Sequence, residues 1–247
     1  MSFKDHFSGH ATAYARHRPD YPADLFAWLA AAAPGRGRAW DCATGNGQAA
    51  VALAEHFREV AATDASEKQV HHAFAHPRVA YRVAPAEASG VDAGSVDLVT
   101  VAQALHWFDI PAFYAEVERV LRPAGVLAVW AYGLFASTPE IDELVIRFYR
   151  DVVGPYWPPD RKMIEDGYRD VELPFAPIEA PDFFMAKEWT AEDLRGYLHT
   201  WSATQGYIAA RGGDPIDGEW AELAEAWGPE RRTVRWPLIL KVGRKAE

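Results

Sequence analysis

The residues best equipped for chemistry in this sequence lie in one short run, Trp40-Asp41-Cys42-Ala43-Thr44-Gly45-Asn46-Gly47-Gln48. It joins a strand-like segment to a helix-like one through small residues. Gly45 and Gly47 can take backbone angles closed to other residues and let the main chain approach a ligand with no Cβ in the way. A helix beginning near Asn46 points free N–H groups at that ligand. Such a turn calls for an acidic residue at the end of the next strand. Asp64 closes Val60-Ala61-Ala62-Thr63 and is placed to accept hydrogen bonds from the two hydroxyls of a ribose. Turn and acid together predict a nucleotide site. Ala50 stands where a dinucleotide fold has its third glycine, a tolerated variant. Asp41 separates the ligand classes: its carboxylate would oppose a pyrophosphate with like charge, whereas it suits a cationic ligand.

Two other clusters could take part. Ala102-Gln103-Ala104-Leu105-His106-Trp107-Phe108 follows a predicted strand, at the sheet edge where open α/β folds bind ligands. The segment Phe3 to Pro22 crowds His6, His10, Tyr14, Arg16, His17, Arg18 and Tyr21 together before any strand, and Tyr14 and Arg18, four apart, share a helix face.

On these motifs the sequence resembles the class I S-adenosylmethionine-dependent methyltransferases, whose first motif is D-x-G-x-G-x-G; Ala43 stands at its first glycine. Residues 14–22 are similar to the Y-x-x-x-R-P-x-Y-P entry of the trans-aconitate methyltransferase-like (methyltransferase type 11) subfamily. Residues 102–108 are similar to its A-x-x-x-H-W-F segment and Tyr197–Ala203 to its T-W-S run. The resemblance implies S-adenosylmethionine as cofactor, with its ammonium and sulfonium near Asp41. Ala43, Gly45 and Gly47 would lie against it, Asp64 and Ala65 at the ribose, and Ala86 and Glu87 at the adenine. Gln103 and Ala104 would approach the methionine part, while His106 and Trp107 border the methyl donor. Residues 1–22 would form a lid through which Tyr14 and Arg18 reach the cofactor.

The expected reaction is methyl transfer to a small-molecule acceptor. A carboxylate acceptor is already ionised at neutral pH and needs only a cation such as Arg18 to hold it. A hydroxyl or amine acceptor would call on His106 to take the proton. Two rival readings stand beside this one. An NAD-linked oxidoreductase is disfavoured by Asp41 and by the lack of a recognisable Tyr-x-x-x-Lys relay. A non-catalytic nucleotide-binding module would keep the glycine turn without needing the aromatic run.

The elements that must position these residues read as strand and helix in alternation. A helix runs from Asp20 or Tyr21 through Ala33, a strand over 38–42, a helix over 48–57, and a capped helix opens at Ser66. Val79–Val83 and Val96–Val101 read as buried parallel strands. Leu121–Gly125 reads as a helix-ending turn before a strand over 126–130, Phe183–Trp189 as a sixth strand, and Arg235–Lys241 as the last. The alternation predicts an α/β doubly wound, mostly parallel sheet; the resemblance makes it seven-stranded and Rossmann-like, with an amino-terminal lid and an inserted helical cap. One domain is expected: lid 1–22, cofactor-binding core 23–132, cap 133–180 and carboxyl-terminal part 181–247.

Composition bounds the rest. With 247 residues, 49% hydrophobic, the chain can bury a full core. A formal charge of −10 without a Lys/Arg run argues against a nucleic-acid partner. One cysteine, no signal-like start and no apolar run near the ~20 residues a bilayer span needs predict a cytoplasmic protein without a membrane partner. His71, His72 and His76 have no acidic or thiol companion at ligand spacing, so no metal site is expected.

Overall fold

The computed structural model describes residues 19–158 and 161–247. The expected lid over residues 1–18, with Tyr14 and Arg18, lies outside the described residues.

In chain order the elements that build the sheet are α1 (Ala23–Ala32), β1 (Arg38–Cys42), α2 (Gln48–Ala54), β2 (Glu59–Asp64), α3 (Glu67–His71), β3 (Val79–Val83), β4 (Val96–Ala102), α4 (Ile110–Val120) and β5 (Leu121–Ala131). Then come α5 (Pro139–Arg147), α6 (Lys162–Glu165), β6 (Ala176–Pro177), β7 (Phe184–Trp189), α7 (Ala191–His199), α8 (Ser202–Arg211), α9 (Ile216–Trp227), β8 (Arg232–Pro237) and β9 (Ile239–Arg244). The main sheet has seven strands in the order β3-β2-β1-β4-β5-β9-β6. Its first five are parallel, whereas β9 runs antiparallel to β5 and β6 antiparallel to β9.

Strand alternation shows why this sheet is covered on both faces. Along β5, Leu127, Val129 and Ala131 join one apolar cluster with α4, while Val126, Ala128 and Trp130 join another with α1 and α2. Successive side chains of a strand point to opposite faces, so a strand apolar at every position needs a layer on each side. Between β1 and β4 the chain order reverses, and the carboxyl ends of those two strands form the crevice in which such sheets take ligands.

Three expectations are corrected. β3 is the sheet's edge and mostly exposed rather than a buried strand, because nothing pairs on its outer side among the described residues. Leu121–Gly125 is already part of β5: Leu121 pairs with Val96, and the register shifts before Leu98 meets Val126. The loop so formed reaches Asp97, buried at the start of β4, whose Oδ1 lies 2.8 Å from Arg122 Nη1 and whose Oδ2 accepts from the Gly37 and Arg38 amides.

The third correction concerns the end of the chain. β7 does not enter the main sheet; it pairs with β8 in a separate two-stranded sheet. The strand expected over Arg235–Lys241 is divided at Pro237, which has no N–H for a ladder. There the chain leaves β8, Leu238 N donates to Phe183 O at 2.9 Å, and β9 begins in the main sheet. Around β7 and β8 a third cluster gathers Phe135, Phe148, Tyr149, Trp189, Tyr197, Trp201, Trp227 and Trp236. This aromatic core draws on chain well beyond the 133–180 expected to form a cap.

Candidate active site

The turn between β1 and α2 is built by backbone conformations that few residues accept. Ala43 has φ +53, Gly45 +56 and Gly47 +85. Gly47 is favoured on two counts: its φ suits glycine, and a Cβ there would sit 2.2 Å from the Tyr81 hydroxyl oxygen, so that the ring would have to move. Gly45 serves another purpose. A Cβ on it would meet no atom of the described residues within 4 Å, so its backbone faces open space at the crevice, as a ligand cradle requires. Ala43 adopts the left-handed region without a glycine's freedom, and such strain is held only where surrounding contacts over-determine it.

Those contacts come from two carboxylates. Asp64, at the end of β2, accepts from the Gly45 amide through Oδ2 and from the Ser66 amide through Oδ1, each at 2.8 Å. It thereby ties the first turn to the second, where Ser66 caps α3 and Ala65 is exposed. Thr44 N donates to Thr63 O at 2.9 Å, closing the same junction.

Asp41 is only 1% exposed and belongs to the framework beneath the turn. Its Oδ2 accepts from the Thr44 hydroxyl at 2.6 Å and its Oδ1 from the Thr100 hydroxyl at 2.8 Å. Thr100 is its partner in the β1–β4 register, and the Ala50 amide of α2 adds a third donor. Burial outweighs these donors and pushes the carboxyl up to about 6, with the nearby Asp64 charge adding to the rise. The helix amides expected to face a ligand are therefore partly spent on Asp41. Cys42 beside it is fully buried, and desolvation raises its thiol far above its ordinary value.

The remaining site residues cluster at the carboxyl ends of β3, β4 and β5. Ala86 is buried in the loop after β3, and the next side chain, Glu87, accepts from the Asp109 amide at 3.0 Å, joining that loop to the start of α4. Gln103 has φ +57, and its amide acts like an extra peptide group: Nε2 donates to Tyr132 O at 2.9 Å and Oε1 accepts from Tyr132 N at 3.1 Å. Its side chain thus locks β4 to the end of β5. After buried Ala104, His106 and Trp107 form a short helical turn with their rings 4.6 Å apart, the indole 41% exposed. Tyr21 closes the group edge-on to Trp130 at 5.4 Å.

Sequence reasoning missed Thr44 and Thr100 as holders of Asp41, Tyr81 over Gly47, and Tyr168. Tyr168 has φ +51, is fully buried, and its hydroxyl lies beside the Leu105 backbone, directly under the His106 turn. Register after strand assignment would have paired Asp41 with Thr100; no local pattern marks Tyr168.

Residues 40–129 match a family model described as a methyltransferase domain. A Dictyostelium discoideum protein assigned as a methyltransferase is 36% identical over 218 residues, covering 87% of this chain and 83% of that one. The structure of a protein from Anaeromyxobacter dehalogenans, assigned as a type II methyltransferase, superposes with TM-score 0.88 at 43% identity, covering 93% of this chain and 99% of the other. A phosphoethanolamine N-methyltransferase of Haemonchus contortus, bound to phosphomonomethylethanolamine and S-adenosylhomocysteine, shares the fold alone. Its TM-score is 0.53 at 17% identity, with all of this chain covered and 61% of that one.

Proposed function

Since this chain belongs to the methyltransferase family and uses S-adenosylmethionine, we propose that it transfers the methyl group to a carboxylate oxygen of a small-molecule acceptor. The observation that carries the cofactor reading is the turn itself: Gly45 open to the crevice and tied by its amide to Asp64 at the point where β1 and β4 diverge. In this reading Asp64 and Ala65 hold the ribose, and Ala86 and Glu87 border the adenine. Ala43, Gly45 and Gly47 offer backbone to the methionine part, and the buried Asp41 charge favours its ammonium. Gln103, Ala104, His106 and Trp107 surround the transferred methyl. Tyr14 and Arg18 are carried into the site on the resemblance of residues 14–22.

The cofactor supplies a methyl group on a sulfonium, transferable by in-line displacement. The protein's task is orientation, and holding two reactants in line can lower the barrier by ~7–11 kcal/mol. A carboxylate oxygen held in line by these residues would take the methyl while the sulfur would keep the electron pair and leave as a neutral thioether. No proton moves, so no general base is required. The similarity of residues 14–22 and 102–108 to trans-aconitate methyltransferases supports this acceptor class. For a hydroxyl or amine acceptor, half-buried His106 would have to take a proton.

A methyl-release assay over small carboxylates, phenols and amines tests the reading. Turnover of a carboxylate is expected, with any pH dependence below 7 retained in His106→Ala, since Asp41 titrates at about 6. Turnover restricted to phenols or amines, abolished in His106→Ala, would overturn the acceptor assignment and leave the methyltransferase standing.

A further inference from the structure

The aromatic core that meets the end of β5 at Tyr132 carries one arginine in an arrangement that packing alone does not call for. Trp157 and Tyr149 stack with ring centroids 4.8 Å apart, and both pack on Trp201 at 5.6 Å. The Arg161 guanidinium carbon lies 3.9 Å from the Trp157 ring centroid and 5.3 Å from that of Tyr149. Its Nε donates to the Tyr149 hydroxyl at 2.6 Å, and that hydroxyl donates onward to Glu165. Glu165 Oε1 stands 4.0 Å from Nε, the outer limit of an ion pair. These contacts use one ring-facing surface and Nε only. Among the described residues neither Nη of Arg161 makes a hydrogen bond, and the side chain keeps 22% of its surface exposed.

Such a group is pre-organised. Its plane is fixed by stacking and by Tyr149, while the fork that recognises a carboxylate is left over. In a chain of net charge −10 it is also a cation compensated loosely. Its location follows from its neighbours. Ile164, three residues on, packs in one cluster with Ala104 and Leu105, and Tyr168 lies beside the Leu105 backbone. Tyr149 and Trp157 pack in the same core as Tyr132, at the end of β5. Arg161 therefore lies between the aromatic layer, through Tyr149 and Trp157, and the segment whose Ile164 and Tyr168 pack in one cluster with Leu105 of the His106 turn.

We propose that Arg161 is a specificity-determining residue that grips a carboxylate of the methyl acceptor through its two Nη groups. The assignment rests on the carboxylate reading given above. Trp157 and Tyr149 hold the guanidinium in orientation, and Glu165 competes weakly for its charge.

The test titrates protein saturated with S-adenosylhomocysteine with succinate, with citrate and with succinamide, following tryptophan fluorescence and calorimetric heat. Wild type should bind at least one of the two carboxylates and not the diamide. Arg161→Gln should weaken that binding by about tenfold or more, the usual effect of losing a charged hydrogen bond. Arg161→Lys, which keeps charge without the fork, should fall in between. Glu165→Gln should act in the opposite direction and tighten carboxylate binding a few-fold, which damage to the fold would not do. S-adenosylhomocysteine affinity should be unchanged in all three variants. The inference is overturned if neither carboxylate binds wild type, if Arg161→Gln binds as wild type does, or if its loss of carboxylate is matched by an equal loss of cofactor. S-adenosylhomocysteine failing to bind wild type would instead overturn the cofactor reading.

Discussion

Asp41 shows how a residue can serve a site by being kept from it. Its carboxyl, pushed from 3.8 up to about 6 chiefly by burial, is a charge the fold carries at neutral pH against its own preference. A raised acid pKa contributes stability that is fully present below about 3.8 and is lost as pH rises through about 6; for this fully buried group the loss is about 3 kcal/mol. Denaturant unfolding of wild type and Asp41→Asn between pH 4 and 7 should therefore converge or cross toward pH 7, the variant lacking this decline. A constant difference across that range would contradict the assignment. Glu116 has the opposite sign: the Arg119 guanidinium, then Ser89, hold its carboxyl down at about 2, against burial. Its stabilisation is present above 4.5 and lost as pH falls through about 2, and Glu116→Gln should flatten that acid limb. Backbone strain gives a second contrast. Gly47→Ala should destabilise by about 2 kcal/mol or more, since φ +85 and contact with Tyr81 both oppose a Cβ. Ala43→Gly should stabilise by up to about 1 kcal/mol by relieving a left-handed alanine. Melting temperatures moving in opposite directions would check the pair.

Among the elements, the two turns that follow β1 and β2 form a single unit joined by Asp64. Asp64→Ala removes the acceptor of both the Gly45 and Ser66 amides, so it should lower the melting temperature and weaken S-adenosylhomocysteine by ~1.5–3 kcal/mol together. Calorimetry with a thermal melt on the same sample reads both; loss of affinity in a variant as stable as wild type would show Asp64 to serve the ligand alone. This unit was legible in sequence because its cues are local: glycines where the backbone must turn and an acid closing the next strand. The bounds of β1 and β3 were legible for a like reason, short strand-favouring runs flanked by glycine or proline: Gly37 and Gly45 about β1, Pro77 and Pro85 about β3. Other elements were not. β7 and β8 alternate polar and apolar residues, as a strand with one exposed face does in either sheet, and only the partner decides their sheet. Even the cue at Pro237 told that a ladder fails there, but not that the chain changes sheets. Asp41 likewise announced a carboxylate at the turn without telling on which side of the backbone it would lie.

At the scale of the molecule, a doubly wound sheet positions the glycine turn while a second, aromatic core packs beyond the end of β5 from Tyr132 and Phe135 onward. That second core is integral to stability. Trp236 is fully buried, and its Nε1 donates to the Tyr197 hydroxyl at 3.2 Å. Trp236→Ala should cost ~3–5 kcal/mol in unfolding measurements, the range for truncating a large buried ring; a change below 1 kcal/mol would mean the aromatic layer folds independently of it. No described helix is long and apolar enough to cross a membrane. The central claim is that the Gly45–Asp64 turn takes the nucleoside of a sulfonium cofactor rather than of a dinucleotide. Calorimetric titration with S-adenosylhomocysteine and NAD side by side tests it most directly. Saturable binding of S-adenosylhomocysteine with no heat from NAD is the predicted result; NAD binding with no response to S-adenosylhomocysteine would contradict it.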